Sequence, residues 1–216
     1  MKKLLGVVIA CSLLLSACLP RDIALARRCL SSTVLVHIKI AKGDKRGMGT
    51  CSGVYVAPNL ILTANHCVDM EDGLELKGIW IRNVYDEAAK AEIVKVDAEK
   101  DLALLKTSLK GIPVSLARKV TVGEEVWVIG QPLGLKFVVT KGIISSLNVS
   151  TLSFPINHFI TDAVVLPGNS GGPAFNSRGQ LVGILTMSTS VFGVFGAAGL
   201  GIVVQIDEVR KFLKQK

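Results

Sequence analysis

What most narrows the fold of this chain is its punctuation: short β-rich runs broken at close intervals by Gly, Pro and Asn. The runs are Thr33–Ile40, Cys51–Val56, Leu60–Thr63, Gly78–Arg82, Ala91–Val96, Leu102–Lys106, Glu125–Ile129, Phe137–Leu147, Phe159–Ile160, Gln180–Met187 and Gly201–Gln205. About ten to twelve strands at this spacing, with almost no helical period, predict an all-β chain built as barrels or a sandwich. The chain's end differs. Val209, Phe212 and Leu213 fall on one face, Asp207 stands where an N-cap would, and basic residues occupy the last turn. That pattern predicts a closing helix over about 206–214.

Composition excludes two classes. The chain has 216 residues, is 50% hydrophobic with 21 Gly, and is only 19% charged, so it is not a disordered or acidic solvating chain. The net charge of +8 raises nucleic acid as a partner. The basic residues are scattered, however, and are densest only at Arg27-Arg28 and over Arg210, Lys211, Lys214 and Lys216. With few aromatic rings to stack on bases, no nucleic-acid partner is expected.

The start of the chain bears on compartment. Met1-Lys2-Lys3 is followed by an uncharged apolar stretch from Leu4 to Ala17. It is too short for a comfortable permanent span and suits a signal peptide over residues 1–17. Leu15-Ser16-Ala17-Cys18 resembles the bacterial lipobox, in which cleavage leaves the Cys as a lipid-bearing N-terminus. The alternative is an ordinary signal peptide cut after Ala17. Several acyl chains would anchor the protein stably where one would not. Leu19 rather than Asp after the Cys implies, by likeness to enterobacterial lipoproteins, the outer membrane. The expectation is an exported envelope protein, held at the membrane through Cys18, with residues 18–32 as a polar tether and one domain over 33–213. Lipidation of Cys18 would leave Cys29, Cys51 and Cys67, an odd count in an oxidising compartment.

The chemistry begins at Pro167-Gly168-Asn169-Ser170-Gly171-Gly172-Pro173. Glycines on both sides of a Ser clear the approach of a substrate carbonyl and permit a bend that aims successive N–H groups at one point. Alone, the motif also fits the nucleophile elbow of α/β-hydrolases. Chain order separates the two. The three histidines, His37, His66 and His158, all precede Ser170, whereas a hydrolase elbow needs its His afterwards. An Asp-His-Ser order would have to draw on Asp22 or Asp44 in a chain without helix–strand alternation. His-Asp-Ser remains. His66 follows a buried run, Leu60-Ile61-Leu62-Thr63, and a small-residue turn that delivers an imidazole from a sheet rim. His37 lies within a strand as a solvent-facing or satisfied ring, and His158 in a polar–apolar loop. Asp101 opens an apolar strand, where a partly buried acid needs a donor such as an imidazole N–H.

Thr63-Ala64-Asn65-His66-Cys67, Asp101-Leu102-Ala103-Leu104-Leu105 and Thr161-Asp162-Ala163 with the Ser170 motif resemble the three signatures of trypsin-like proteases. The likeness is greatest to the HtrA/Deg branch and extends through Val128–Gly134 and Thr140–Ser145. It implies two six-stranded antiparallel β-barrels, barrel one over about 33–115 and barrel two over about 120–205, with polypeptides as substrates and no cofactor or metal. It further implies His66 as general base, Asp101 as its orienting acid, Ser170 as nucleophile, and an oxyanion hole at Gly168, Asn169 and Ser170, of which the Gly168 and Ser170 N–H groups donate. Cys51 and Cys67 match a disulfide of secreted chymotrypsins, which leaves Cys29 free or intermolecular. Val164 falls near the base of the P1 pocket, with Thr186, Met187 and Ser188 on the strand that pairs with substrate. No acid stands at that base, so small or medium aliphatic P1 residues are expected.

Two departures from the family pattern matter. Many HtrA-like proteases carry a PDZ domain after the catalytic one, and none is expected here. Asn169 replaces the Asp with which digestive zymogens capture a new N-terminus, so no cut near residues 28 to 34 is expected to activate the protein. The apolar Ser190–Gly199 segment reads as a cleft-shaping loop or as a packed hairpin. Against the enzyme stand two other readings: a catalytically weak homologue that binds unfolded protein, and a lipid-anchored structural protein.

Overall fold

The computed structural model describes residues 21–70, 73–151, 154–188 and 200–215. The expected signal peptide, Cys18 and the Ser190–Gly199 segment lie outside the described residues. Helix α1 (Arg21–Ser32) leads into strands β1 (Thr33–Lys42), β2 (Lys45–Ala57), β3 (Leu60–Thr63), β4 (Glu75–Arg82), β5 (Ala88–Asp97) and β6 (Leu102–Thr107). These close as an antiparallel barrel in the order β1-β2-β3-β6-β5-β4. Strands β7 (Glu125–Gly130), β8 (Val138–Thr151), β9 (Phe154–Thr161), β10 (Pro173–Asn176), β11 (Leu181–Ser188) and β12 (Gly201–Gln205) close a second barrel as β10-β11-β12-β9-β8-β7. Helix α2 (Ile206–Lys214) ends the fold. The all-β, two-barrel expectation holds.

Three hydrophobic clusters explain the sequence pattern. Tyr55, Ile61, Ala103 and Leu105 fill barrel one, and Val126, Val128, Val182 and Val203 fill barrel two. The alternate residues Val54, Leu62, Leu102, Trp127, Ile129, Phe175, Ile184 and Val204 belong to a third cluster shared by both barrels and both helices. Successive strand side chains point to opposite faces. A strand that fills its own barrel and also meets the other must therefore be apolar at every position. This is why Leu60-Ile61-Leu62 and Val126-Trp127-Val128-Ile129 read as unbroken runs.

The structure corrects the sequence pattern in four places. The segment read as a tether is, from Arg21 to Ser32, a helix. Leu25 and Cys29, one turn apart, are buried in the shared cluster, and burial of the leucine alone stabilises by about 2 kcal/mol. Arg28 donates to Arg178 O across the chain. The four-residue strand β10 was hidden because it opens on Pro173 directly after a glycine turn, yet all four of its residues are buried. His158 sits in β9 rather than in a loop. Helix α2 has Gln205 at its N-cap, not Asp207, because β12 runs straight into it; Asp207 instead pairs with Arg210 at 2.6 Å. The other end of α2 is held by barrel one, where Lys95 Nζ donates to Phe212 O and Gln215 O, both at 2.7 Å. A cation on the last carbonyls of a helix favours its dipole.

Candidate active site

Strand β3 ends at Thr63, and a short 3-10 turn, Asn65–Cys67, carries the chain away from the sheet. Val68 N–H and Asp69 N–H both return to Asn65 O at 2.8 Å, and Asn65 Nδ2 donates to Asp69 Oδ2 at 3.1 Å. Cys67 is disulfide-bonded to Cys51 of β2, 16 residues earlier. Closing a loop of that size stabilises by about 3 kcal/mol on chain entropy. The turn projects His66 to the surface, with 47% of its side chain exposed.

Asp101 approaches from the β5–β6 turn in a left-handed conformation, φ 49°, which Asp tolerates better than most side chains. Its Oδ1 accepts the His66 N–H at 2.9 Å, and its Oδ2 lies 2.8 Å from His66 Nδ1. A carboxylate only accepts, so the proton of a neutral ring belongs on Nδ1, and the Nε2 lone pair is left facing outward. One carboxylate thus fixes both the backbone and the tautomer of His66.

Barrel two brings Ser170 to the same place. Ser52 N–H donates to Ser170 O at 2.8 Å, and Cys67 Sγ lies 3.7 Å from that oxygen. Gly171, at φ 76°, presses so closely on barrel one that a Cβ there would stand 2.1 Å from Thr63 Oγ1 and 2.7 Å from Ala64 N. Thr186 bridges the groups. Its hydroxyl donates to Asp101 Oδ2, and its carbonyl accepts from Ser170 Oγ at 3.4 Å. The β11–β12 register slips between Leu185 and Met187, a bulge at Thr186 that re-aims this side chain. Among the described residues, Thr186 O is the hydrogen-bond partner of the Ser170 hydroxyl.

The peptides before Ser170 are individually pinned. Pro167 O accepts Leu133 N–H at 2.8 Å, and Gly168 O accepts Ser52 Oγ at 2.9 Å. A trans peptide points its carbonyl and its N–H in opposite directions. With the Pro167 carbonyl turned to Leu133, the Gly168 N–H faces the other way. Asn169 N–H is engaged by Leu166 O at 3.0 Å, so Asn169 is not an available donor. The N–H groups of Gly168 and Ser170 have no acceptor among the described residues.

The remaining expected residues are placed less tightly. Val164 is exposed, with its carbonyl held by Thr140 Oγ1 at 3.0 Å. Met187 and Ser188 pair with Ile202 and Gly201 through the backbone of β11, and their side chains lie outside the described residues. His37 is half-buried opposite Trp80; burial, then Arg82 and Lys136, lower its pKa. His158 is buried with Nδ1 2.9 Å from Ile156 O, and burial lowers its pKa against that hydrogen bond and the charges of Asp101 and Glu208. Cys29 is free and buried, and burial pushes its thiol up to about 11, which leaves an inert side chain rather than an intermolecular partner. Among the described residues no cluster of His, Cys, Asp or Glu could hold a metal. Two residues escaped the sequence pattern as contributors to this geometry, the Thr186 hydroxyl and Ser52. A strand bulge and a cross-barrel hydrogen bond leave no local signal.

Comparison with known proteins gives a consistent result. Residues 51–184 match the family described as a trypsin-like peptidase domain. The probable periplasmic serine endoprotease DegP-like of Pseudomonas savastanoi pv. phaseolicola is 36% identical over 173 residues, covering 77% of this chain and 35% of that protein. The chloroplastic Protease Do-like 1 of Arabidopsis thaliana is 38% identical over 136 residues, covering 58% and 30%. The solved structure of the HtrA-type protease AlgW with a tripeptide superposes with a TM-score of 0.75 at 27% identity, over 88% of this chain and 62% of that one. The chain spans about a third of the length of these curated relatives (35% and 30%). With its two closed barrels and these matches, the chain belongs to the trypsin-like peptidase domain family, on the HtrA/DegP branch.

Proposed function

We propose that the protein is a serine endopeptidase that cleaves polypeptides through an acyl-enzyme. The observation that carries this reading is the double hold of Asp101 on His66, joined through Thr186 to Ser170. On substrate binding the Ser170 hydroxyl turns from Thr186 O to His66 Nε2, a tightening common when an apo site fills. His66 takes the proton as Ser170 Oγ attacks the scissile carbonyl, and the imidazolium is stabilised by Asp101. The tetrahedral oxygen is received by the Gly168 and Ser170 N–H groups. Collapse of this intermediate gives the amine the His66 proton, and water then repeats the sequence on the ester.

The exposed apolar Val164 supports small or medium aliphatic P1 residues. The family members named periplasmic support export to that compartment, and Cys18 would hold the protein at the membrane. Asn169 supports activity without a zymogen cut, since its buried amide offers no charge for a freed N-terminus. Labelling by a fluorophosphonate probe tests the central reading. Wild-type protein is labelled and Ser170→Ala is not; folded wild-type protein that stays unlabelled would leave a binding protein without turnover. Incorporation of a palmitate analogue into wild type but not Cys18→Ser tests the anchor.

A further inference from the structure

Ser52 belongs to barrel one, is completely buried, and makes four hydrogen bonds, three to barrel two and one to Thr63 of its own barrel. Its hydroxyl donates to Gly168 O at 2.9 Å and accepts the Gln131 N–H at 3.0 Å. Its N–H donates to Ser170 O at 2.8 Å, and its carbonyl accepts from Thr63 Oγ1 at 2.7 Å. One residue therefore grips the carbonyls on both sides of Asn169.

The geometry has a consequence for the oxyanion donors. The Gly168–Asn169 peptide can face either way, because Gly168 at φ 100° has conformational freedom that other residues lack. A flip of this plane would turn the Gly168 carbonyl towards the cleft, where it would repel a developing oxyanion. The Ser52 hydroxyl holds that carbonyl back, and Leu166 O holds the Asn169 N–H of the same peptide at 3.0 Å. Through Gln131 N–H the same hydroxyl is tied to the segment whose Leu133 N–H holds Pro167 O. The planes on both sides of Gly168 are thus locked by one small network. No charged group takes part.

We propose that Ser52 is a positioning residue for the oxyanion donors: a barrel-one hydroxyl that holds the Gly168–Asn169 peptide plane between the two donors and couples the hole to barrel docking. This rests on the reading of Gly168 and Ser170 as oxyanion donors. Ser52 touches no substrate and acts only through Gly168 and Gln131.

Ser52→Ala removes the hydroxyl and keeps the backbone donor. Hydrolysis of a fluorogenic peptide with valine at P1 should show kcat reduced about ten- to a hundredfold with KM within about twofold, since donors aimed at the oxyanion act on the transition state. Two inhibitors separate positioning from simple structure. A peptidyl boronate, whose boron hydroxyl occupies the oxyanion position, should bind Ser52→Ala at least about tenfold more weakly, in line with the loss of kcat. The reduced-amide analogue of the same peptide, which has no carbonyl oxygen there, should bind as it does to wild type. Unchanged kcat and boronate affinity would overturn the proposal. Equal losses for boronate and reduced amide, with a lowered Tm, would also overturn it and make Ser52 a merely structural residue. Failure of the parent reading looks different, as turnover that survives Ser170→Ala.

Discussion

His66 on barrel one is held by a side chain and a covalent bond, whereas Ser170 on barrel two is held by its own backbone. The His66 turn is stapled by Cys51–Cys67 and clamped by Asp101, and all four of these residues come from barrel one. The Ser170 turn offers four carbonyls, of Pro167, Gly168, Asn169 and Ser170, and two of their four donors belong to Ser52 on the other barrel. His66 and Asp101 consequently both belong to one barrel, with Thr186 of the other donating to Asp101 Oδ2. The Ser170 turn is held from both sides, within barrel two by Leu133, Leu166 and Leu185 and across the cleft by Ser52. A cleft built this way couples the Ser170 turn to the docking of the barrels.

Substitutions on either side test the contrast, and the largest effect is expected on the barrel-one side. Asp101→Asn keeps the shape but offers an amide to Nδ1, so the ring can take the wrong tautomer. A loss of about 10⁴ in kcat is expected, with the fluorophosphonate rate falling in parallel. A loss below about tenfold would show that the ring is oriented by something other than this carboxylate.

Gly171→Ala attacks the barrel-two side through sterics alone. Its Cβ would meet Thr63 Oγ1 at 2.1 Å and Ser52 O at 2.5 Å, in a backbone conformation at φ 76° that alanine disfavours. A destabilisation of about 4 kcal/mol is expected, read as a lower urea midpoint. Wild-type stability in this variant would mean that the two barrels are not pressed together at this point.

The paired Cys51→Ala and Cys67→Ala substitution loosens the His66 turn and removes the Cys67 sulfur that lies 3.7 Å from Ser170 O. A loss of about 3 kcal/mol is expected, with Tm falling by roughly 6–12 °C. Turnover at temperatures below the new midpoint should persist, because the Asp101 clamp remains.

The smallest expected effect is on pH dependence and belongs to barrel two. Burial keeps His158 neutral in the fold by lowering its pKa. As pH falls through the ordinary His range near ~6.5, the unfolded chain gains a proton that the native state refuses, so stability declines. Between pH 7.5 and 5.5 the urea midpoint should fall further for wild type than for His158→Gln, while His37 contributes alike to both. Parallel declines in the two proteins would remove His158 from the account.

Much of this was legible in the chain. The unbroken apolar runs at Leu60–Leu62 and Val126–Ile129 announced strands buried on both faces, and the order of His66, Asp101 and Ser170 separated this cleft from a hydrolase elbow. What stayed hidden depends on distant partners. Ser52, between Cys51 and Gly53, carries no local mark, since its hydroxyl bonds reach residues 116 and 79 positions away. Helix α1 was missed because its polar, basic residues outweigh a buried stripe of Leu25, Cys29 and Ser32. That stripe acquires meaning only against α2 and barrel two.

Helix α1 also changes how far the protein can reach. A tether of residues 18–32 would let the domain wander some ~50 Å from an anchoring point, at the extension of an open chain. With Arg21–Ser32 docked on the barrels, twelve residues are taken out of that tether, and any three residues span about 10 Å at most. For a protein acylated at Cys18, the catalytic domain would graze the bilayer surface and never sample the depth of the compartment. Its working volume would then be a thin sheet, and its targets would be those polypeptides that come to the membrane.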